Sequence, residues 1–169
     1  MTDDDPPLAQ RVGTALRERD ETLAVAESCT GGLVGSLVTD IAGSSAYFDR
    51  SLVTYSYDAK QELLAVSREA LDDHGAVSEP VAREMARGVR DTAGTDWGVA
   101  TTGVAGPTGG SPETPVGTVY IAVARAAPWE TGESGCTVGH YEFDGSRTEV
   151  KSRIARQALA DLLDALGHQ

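Results

Sequence analysis

Thr22-Leu23-Ala24-Val25-Ala26-Glu27-Ser28-Cys29-Thr30-Gly31-Gly32-Leu33-Val34-Gly35-Ser36-Leu37-Val38 is the stretch on which the fold turns. Residues 22–26 form a short apolar run bounded by polar residues, the pattern of a buried strand. Residues 28–32 supply small, turn-forming side chains and two adjacent glycines, and residues 33–38 read as a helix. A strand that passes through glycine into a helix belongs to an α/β protein. The glycines also let the backbone come close to a ligand where free amides of a helix start favour anions. A tight turn that needs glycine for geometry alone is the competing reading.

The same alternation continues on both sides. Upstream, Pro6 suits the first position of a helix capped by Asp4 or Asp5, and Leu8, Val12, Ala15 and Leu16 share one face of it up to about Asp20. Downstream, residues 51–55 read as a second strand, 58–64 as a helix, and Ser67 as the cap of a further helix that ends near His74-Gly75. Ser78-Glu79-Pro80 is a helix start, and Val81, Met85 and Val89 carry that helix to about Thr92. Residues 97–101 form a third strand. Residues 118–124 and 136–143 form two later strands with no helix between them, hence a hairpin. Val150, Ile154, Ala158, Leu162 and Leu166 mark one face of a closing helix over residues 146–166. This order predicts a three-layer α/β/α sandwich around a mixed, mostly parallel sheet of about five strands. No linker or repeat interrupts residues 1–169, so one domain is expected.

Composition narrows the function. The formal net charge of −12 argues against nucleic acid, whose phosphates require a basic face. No apolar run approaches the roughly 18 residues of a membrane span, and the acidic N-terminus lacks signal-peptide character, so a cytoplasmic location is expected. An acidic, lysine-poor surface suits a halophilic host, although codon bias toward Arg and Ala produces the same composition. Cys29 and Cys136 form no metal pattern, and His74, His140 and His168 are scattered, so no metal site is expected.

Of 14 cationic side chains only Lys60 and Lys151 are lysine. Arginine cannot lose its proton in a protein, whereas a desolvated lysine can. Lys60 falls in the first turn of the helix over residues 58–64, where the helix dipole disfavours an ammonium. It is a candidate base for the hydroxyl of Ser28, with Tyr55 close by as a proton relay. An ordinary surface lysine is the alternative. Cys29 is a rival nucleophile, although no histidine stands where it would activate the thiol, and small core filling is the commoner role. Lys151 is expected on the exposed side of the last helix, away from every motif. Gly103-Val104-Ala105-Gly106-Pro107-Thr108-Gly109-Gly110 superficially suggests a P-loop, but no Lys-Ser/Thr pair follows and Pro107 breaks the helix start. Its length and its Gly and Pro content favour a shaped wall of a binding crevice.

Five segments in order carry a resemblance. They are Ala26-Glu27-Ser28-Cys29-Thr30-Gly31-Gly32, Ile41-Ala42-Gly43-Ser44-Ser45-Ala46-Tyr47-Phe48, Val53-Thr54-Tyr55-Ser56 with Ala59-Lys60, His74-Gly75-Ala76-Val77-Ser78, and Thr102 through Gly110. Together they resemble the CinA C-terminal domain family, whose stand-alone members include the PncC-type nicotinamide-nucleotide amidases. The resemblance covers nearly the whole chain and implies a three-layer α/β/α sandwich. It implies hydrolysis of the carboxamide of nicotinamide mononucleotide, with Ser28 as nucleophile, Lys60 as general base and Tyr55 as the assisting hydroxyl. Ser45 matches an auxiliary hydroxyl, amides near Thr30, Gly31 and Gly32 would hold the oxyanion, and Thr102, Gly103, Gly106, Pro107 and Gly110 would shape the nucleotide pocket. No metal or organic cofactor is implied, and the resemblance implies a homo-oligomer, with a dimer as one form. The phosphate of such a substrate needs local donors in so acidic a chain. Arg147, at the start of the last helix, is the candidate, against a solvated arginine that merely counters nearby acids. A non-catalytic nucleotide-binding or regulatory module is the alternative function.

Overall fold

The computed structural model describes residues 6–167; Asp4 and Asp5, expected as helix caps, and His168 lie outside them. In chain order the elements are α1 (Leu8–Arg19), β1 (Leu23–Glu27), α2 (Leu33–Thr39), β2 (Phe48–Val53), α3 (Tyr57–Leu64), α4 (Arg68–His74), α5 (Glu79–Ala93), β3 (Trp97–Gly103), β4 (Thr118–Arg125), β5 (Gly135–Glu142) and α6 (Arg147–Gly167). The sheet has five strands in the order β2-β1-β3-β4-β5. β1 pairs in parallel with β2 and β3, while β4 pairs antiparallel with β3 and β5. Four strands therefore share one direction and β4 alone is reversed, as expected for a mixed, mostly parallel sheet.

From β1 the chain crosses to β2 on one side, then returns past β1 to β3 on the other. The carboxyl ends of β1 and β3 thus mark the point where the connections diverge, and a crevice opens between their loops. Main-chain bonds run just beyond the strands: the Ser28 amide donates to the Thr101 carbonyl at 3.0 Å, and the Thr54 amide to the Glu27 carbonyl at 2.8 Å.

Strand alternation sorts the core onto two unequal faces. Leu23, Val25, Trp97, Val99, Val119 and Ile121 pack on the side of α1, α2 and α6. The other face is almost bare: Ala24, Ala26, Ala100, Ala122 and Ala124 meet α5. Small residues bring α5 against the sheet. A Cβ on Gly98 would overlap the carbonyl oxygen of Ala86 in α5, and one on Gly88 would overlap that of Leu64 in α3. Neither obstacle is a flexible side-chain tip, so Gly98→Ala should destabilise by about 3 kcal/mol. Thermal unfolding should show a Tm lower by roughly 6–12 °C. Gly135→Ala, with nothing near its Cβ, should leave Tm within about 1 °C of the parent.

Two boundaries differ from expectation. β2 begins at Phe48 and ends at Val53, so Tyr55 lies in the following turn and not in a strand. Asp49 and Arg50 hide this strand from an apolar pattern, and they are tolerated because β2 is an edge strand with one neighbour. β3 extends through Gly103, pairing as far as Gly103 with Val119.

Candidate active site

The turn between β1 and α2 is organised by a residue that carried no role in the sequence reading. Glu27 closes β1 and is fully buried. One carboxylate oxygen accepts from the amides of Gly32 (3.2 Å) and Val34 (2.8 Å) and from the Thr30 hydroxyl (2.7 Å). The other accepts from the Gly35 amide (3.0 Å) and the Ser51 hydroxyl (2.6 Å). Glu27 thereby satisfies the unpaired amides at the start of α2 and places a negative charge at the positive end of that helix. Gly31 and Gly32 hold φ of 61° and 102°, which side chains rarely adopt. A glutamate closing an apolar run four residues before a glycine pair and a helix was the available signal.

Lys60 projects from α3 beneath this turn. The helix is capped by Ser56, whose hydroxyl accepts from the Ala59 amide at 3.1 Å, which sets Lys60 one turn inside. Its ammonium is wholly buried and donates to Ser28 Oγ at 3.0 Å, the Thr54 carbonyl at 2.7 Å and the Tyr55 carbonyl at 3.2 Å. Burial pushes its pKa down to about 8, against a small opposing pull from Cys29. The cation is thus held by neutral groups, free to become an amine near neutral pH. Cys29 behaves oppositely. Burial, reinforced by Glu27, pushes its thiol up to about 12 even though its own backbone amide, Lys60 and Lys151 act to lower it. A thiol so rarely ionised is a poor nucleophile beside a serine in contact with a buried lysine.

Above the turn lies a cavity of about 250 Å³, lined among others by Cys29, Tyr55, Val77, Gly106, Thr108 and Arg147. Gly106 has φ of 81°, and a Cβ there would run into Val116, so glycine keeps the loop folded onto itself. Thr102 is buried and its hydroxyl donates to the Ala76 carbonyl at 2.7 Å, tying β3 to the segment before α5. Gly103 carries the end of β3 into the crevice, while Pro107 and Gly110 are exposed on the outer part of the loop. A larger cavity of about 810 Å³ lies near Gly94 and Trp129. That is the opposite end of the sheet, where β3 begins and β4 ends, away from Ser28 and Lys60.

Several expected site residues stand elsewhere. The Tyr55 hydroxyl does not join Ser28 or Lys60: the residue is 63% exposed, and its oxygen accepts from Arg147 Nη2 at 3.3 Å. The turn after β2 directs the Tyr55 carbonyl inward to Lys60 and the ring outward. Arg147 also donates to the Gly106 carbonyl at 2.6 Å, so it clasps the glycine loop to Tyr55. Ser45 is exposed in a 3₁₀ turn (Ser44–Ala46) ahead of β2. It therefore sits at the amino end of that strand, about 20 Å of β2 away from the crevice within this chain. In the turn that carries Ser28 the Gly31 amide donates to the Ser28 carbonyl and the Gly32 amide to Glu27. The Thr30 amide is left without an acceptor among the described residues, and the Cys29 amide lies against its own thiol. Lys151, expected away from every motif, is at the site: its Nζ lies 3.6 Å from where a Cβ on Gly31 would stand.

Comparison with known proteins agrees with this architecture. The family model for the CinA C-terminal domain matches residues 5–166. Nicotinamide-nucleotide amidohydrolase PncC of Escherichia coli K12 is 47% identical over 170 residues, covering 100% of this chain and 97% of that protein. A CinA-like protein of Chlorobium limicola is 48% identical over 157 residues, covering 93% of this chain but 36% of its own length. The chain thus spans about a third of the longer CinA-like relatives it matches. Among solved structures, a competence-damaged protein (CinA) superfamily protein from Klebsiella pneumoniae superposes with a TM-score of 0.88 at 37% identity, covering 96% of this chain and 97% of that one. With the family model spanning residues 5–166 and a relative matched along nearly its full length, the protein belongs to the CinA C-terminal domain family.

Proposed function

We propose that this protein is an amidohydrolase that converts nicotinamide mononucleotide to nicotinic acid mononucleotide and ammonia. The observation that carries the reading is the 3.0 Å contact between a fully buried Lys60 ammonium and Ser28 Oγ. The nicotinamide-nucleotide amidohydrolase name of the PncC relative, matched along nearly its whole length, supports the substrate class.

Neutral Lys60 takes the hydroxyl proton as Ser28 Oγ attacks the carboxamide carbon. The Thr30 amide, which no acceptor of the described structure engages, and the Cys29 amide, which meets only its own thiol, are the donors for the oxyanion. The protonated Lys60 then returns its proton to the departing nitrogen, releasing ammonia and leaving an acyl ester on Ser28. Water, deprotonated by the same amine, hydrolyses that ester. One group of lowered pKa serves as base and then acid in both halves of the reaction. Tyr55, Gly106 and Arg147 form the wall against which the nucleotide rests.

The test is ammonia release from nicotinamide mononucleotide. Because the amine is the active form, kcat/KM should rise about tenfold per pH unit and level off near pH 8. A profile flat from pH 6 to 9 would remove Lys60 as the base. The second reading, a nucleotide-binding or regulatory module, draws on the longer CinA-like relatives, whose printed names state no activity. Tight nucleotide binding with no ammonia released would favour it.

A further inference from the structure

The chain keeps only two lysines among its 14 cationic side chains, and both face the nucleophile turn: Lys60 from below and Lys151 from α6 beside Gly31. The described ion pairs all use arginine, and Lys151 makes none of them and no hydrogen bond among the described residues. The charged groups on the adjoining turns are otherwise engaged. Glu149 accepts from the Ser146 amide at 2.8 Å and hydroxyl at 2.7 Å, and Glu27 is buried under five donors. Arg147, one helical turn earlier on the same face, clasps Gly106 and Tyr55. Half-buried Lys151 is therefore the cation left to receive a ligand beside Gly31, at the edge of a cavity that Arg147 lines. Glycine at position 31 leaves open the space between that ammonium and the turn. In a chain of net charge −12, an anionic substrate needs such a local charge to be held at all.

We infer that Lys151, and not Arg147, binds the phosphate of the mononucleotide substrate. This rests on the amidase reading for its substrate. An ammonium with three donors suits a phosphate monoester as a point charge, whereas Arg147 serves by holding the loop shut. With the phosphate and not the carboxamide against Lys151, its loss is felt in binding more than in turnover.

The experiment compares nicotinamide mononucleotide with nicotinamide riboside, which lacks the phosphate, in the parent, Lys151→Met and Lys151→Arg. With Lys151→Met, KM for the mononucleotide should rise about 10- to 100-fold with kcat within about threefold. The kcat/KM for the riboside should stay within about threefold, and Lys151→Arg should recover most of the affinity for the mononucleotide. Equal losses on both substrates would overturn the inference, because Lys151 would then act at the reacting carboxamide. An unchanged KM would overturn it as well. If the parent releases ammonia from neither compound, the amidase reading fails, and calorimetry with the same two compounds decides the matter of Lys151. A preference for the mononucleotide that Lys151→Met abolishes supports the phosphate contact; a preference that survives, or no binding, overturns it.

Discussion

Lys60→Arg is expected to lower ammonia release by about 10³- to 10⁴-fold while the protein stays folded. Arginine keeps the positive charge and the donors that the carbonyls of Thr54 and Tyr55 accept, but it does not deprotonate, so Ser28 loses its base. Lys60→Met separates charge from packing. It removes the base with similar bulk and should be as inactive as Lys60→Arg, yet at least as stable as the parent below pH 8. The reason is linkage. The buried lysine titrates at about 8 in the native state against 10.5 for an ordinary lysine. Between those values the unfolded chain holds a proton that the native state has shed, so parent stability rises with pH across that window. Below pH 8 both states are charged, and the native state carries the full cost of a buried ammonium. Lys60→Met should abolish this rise, which urea titrations at pH 7 and 10 would measure. Full activity in Lys60→Arg would refute the base assignment.

Glu27→Gln should be the most damaging polar substitution in the fold, costing about 4 kcal/mol and roughly 10 °C in Tm. Five donors converge on this carboxylate from α2, Thr30 and Ser51. A glutamine amide turns one acceptor into a donor facing other donors, so at least one buried amide or hydroxyl loses its partner in a dry site. The negative charge at the start of α2 disappears too. Ser51→Ala removes a single donor and should cost only about 1 kcal/mol. Because the same carboxylate fixes the turn that carries Ser28, any folded Glu27→Gln protein should also lose turnover. A Tm within 2 °C of the parent would show that the hub is dispensable.

The sheet and its helices were legible in the sequence wherever apolar periodicity was strong, as in α5, α6 and β3. β2 was misplaced at its start because an edge strand tolerates Asp49 and Arg50. At the site, the lysine count and the placement of Lys60 at a helix start, with Ser28 on a glycine loop, singled out a pair that the fold brings to 3.0 Å. What stayed hidden depends on side-chain direction. No local pattern says that Tyr55 turns its ring outward and its carbonyl inward. None says that Gly32 gives its amide to Glu27, or that α6 rotates Lys151 toward Gly31. Helix periodicity assigned Lys151 to a polar face, and only the packing of α6 beside α2 shows what that face meets. Ser45 shows the converse: a hydroxyl near the motifs in sequence, carried by β2 to the far end of the sheet.

The central claim is that Ser28 forms the covalent intermediate while Cys29, its neighbour, does not. Rapid acid quenching of the protein with nicotinamide mononucleotide, followed by mass spectrometry of the peptide containing both residues, tests it most directly. An acyl adduct should appear in the parent and in Cys29→Ala, and be absent from Ser28→Ala. An adduct that survives in Ser28→Ala and vanishes in Cys29→Ala would contradict the account.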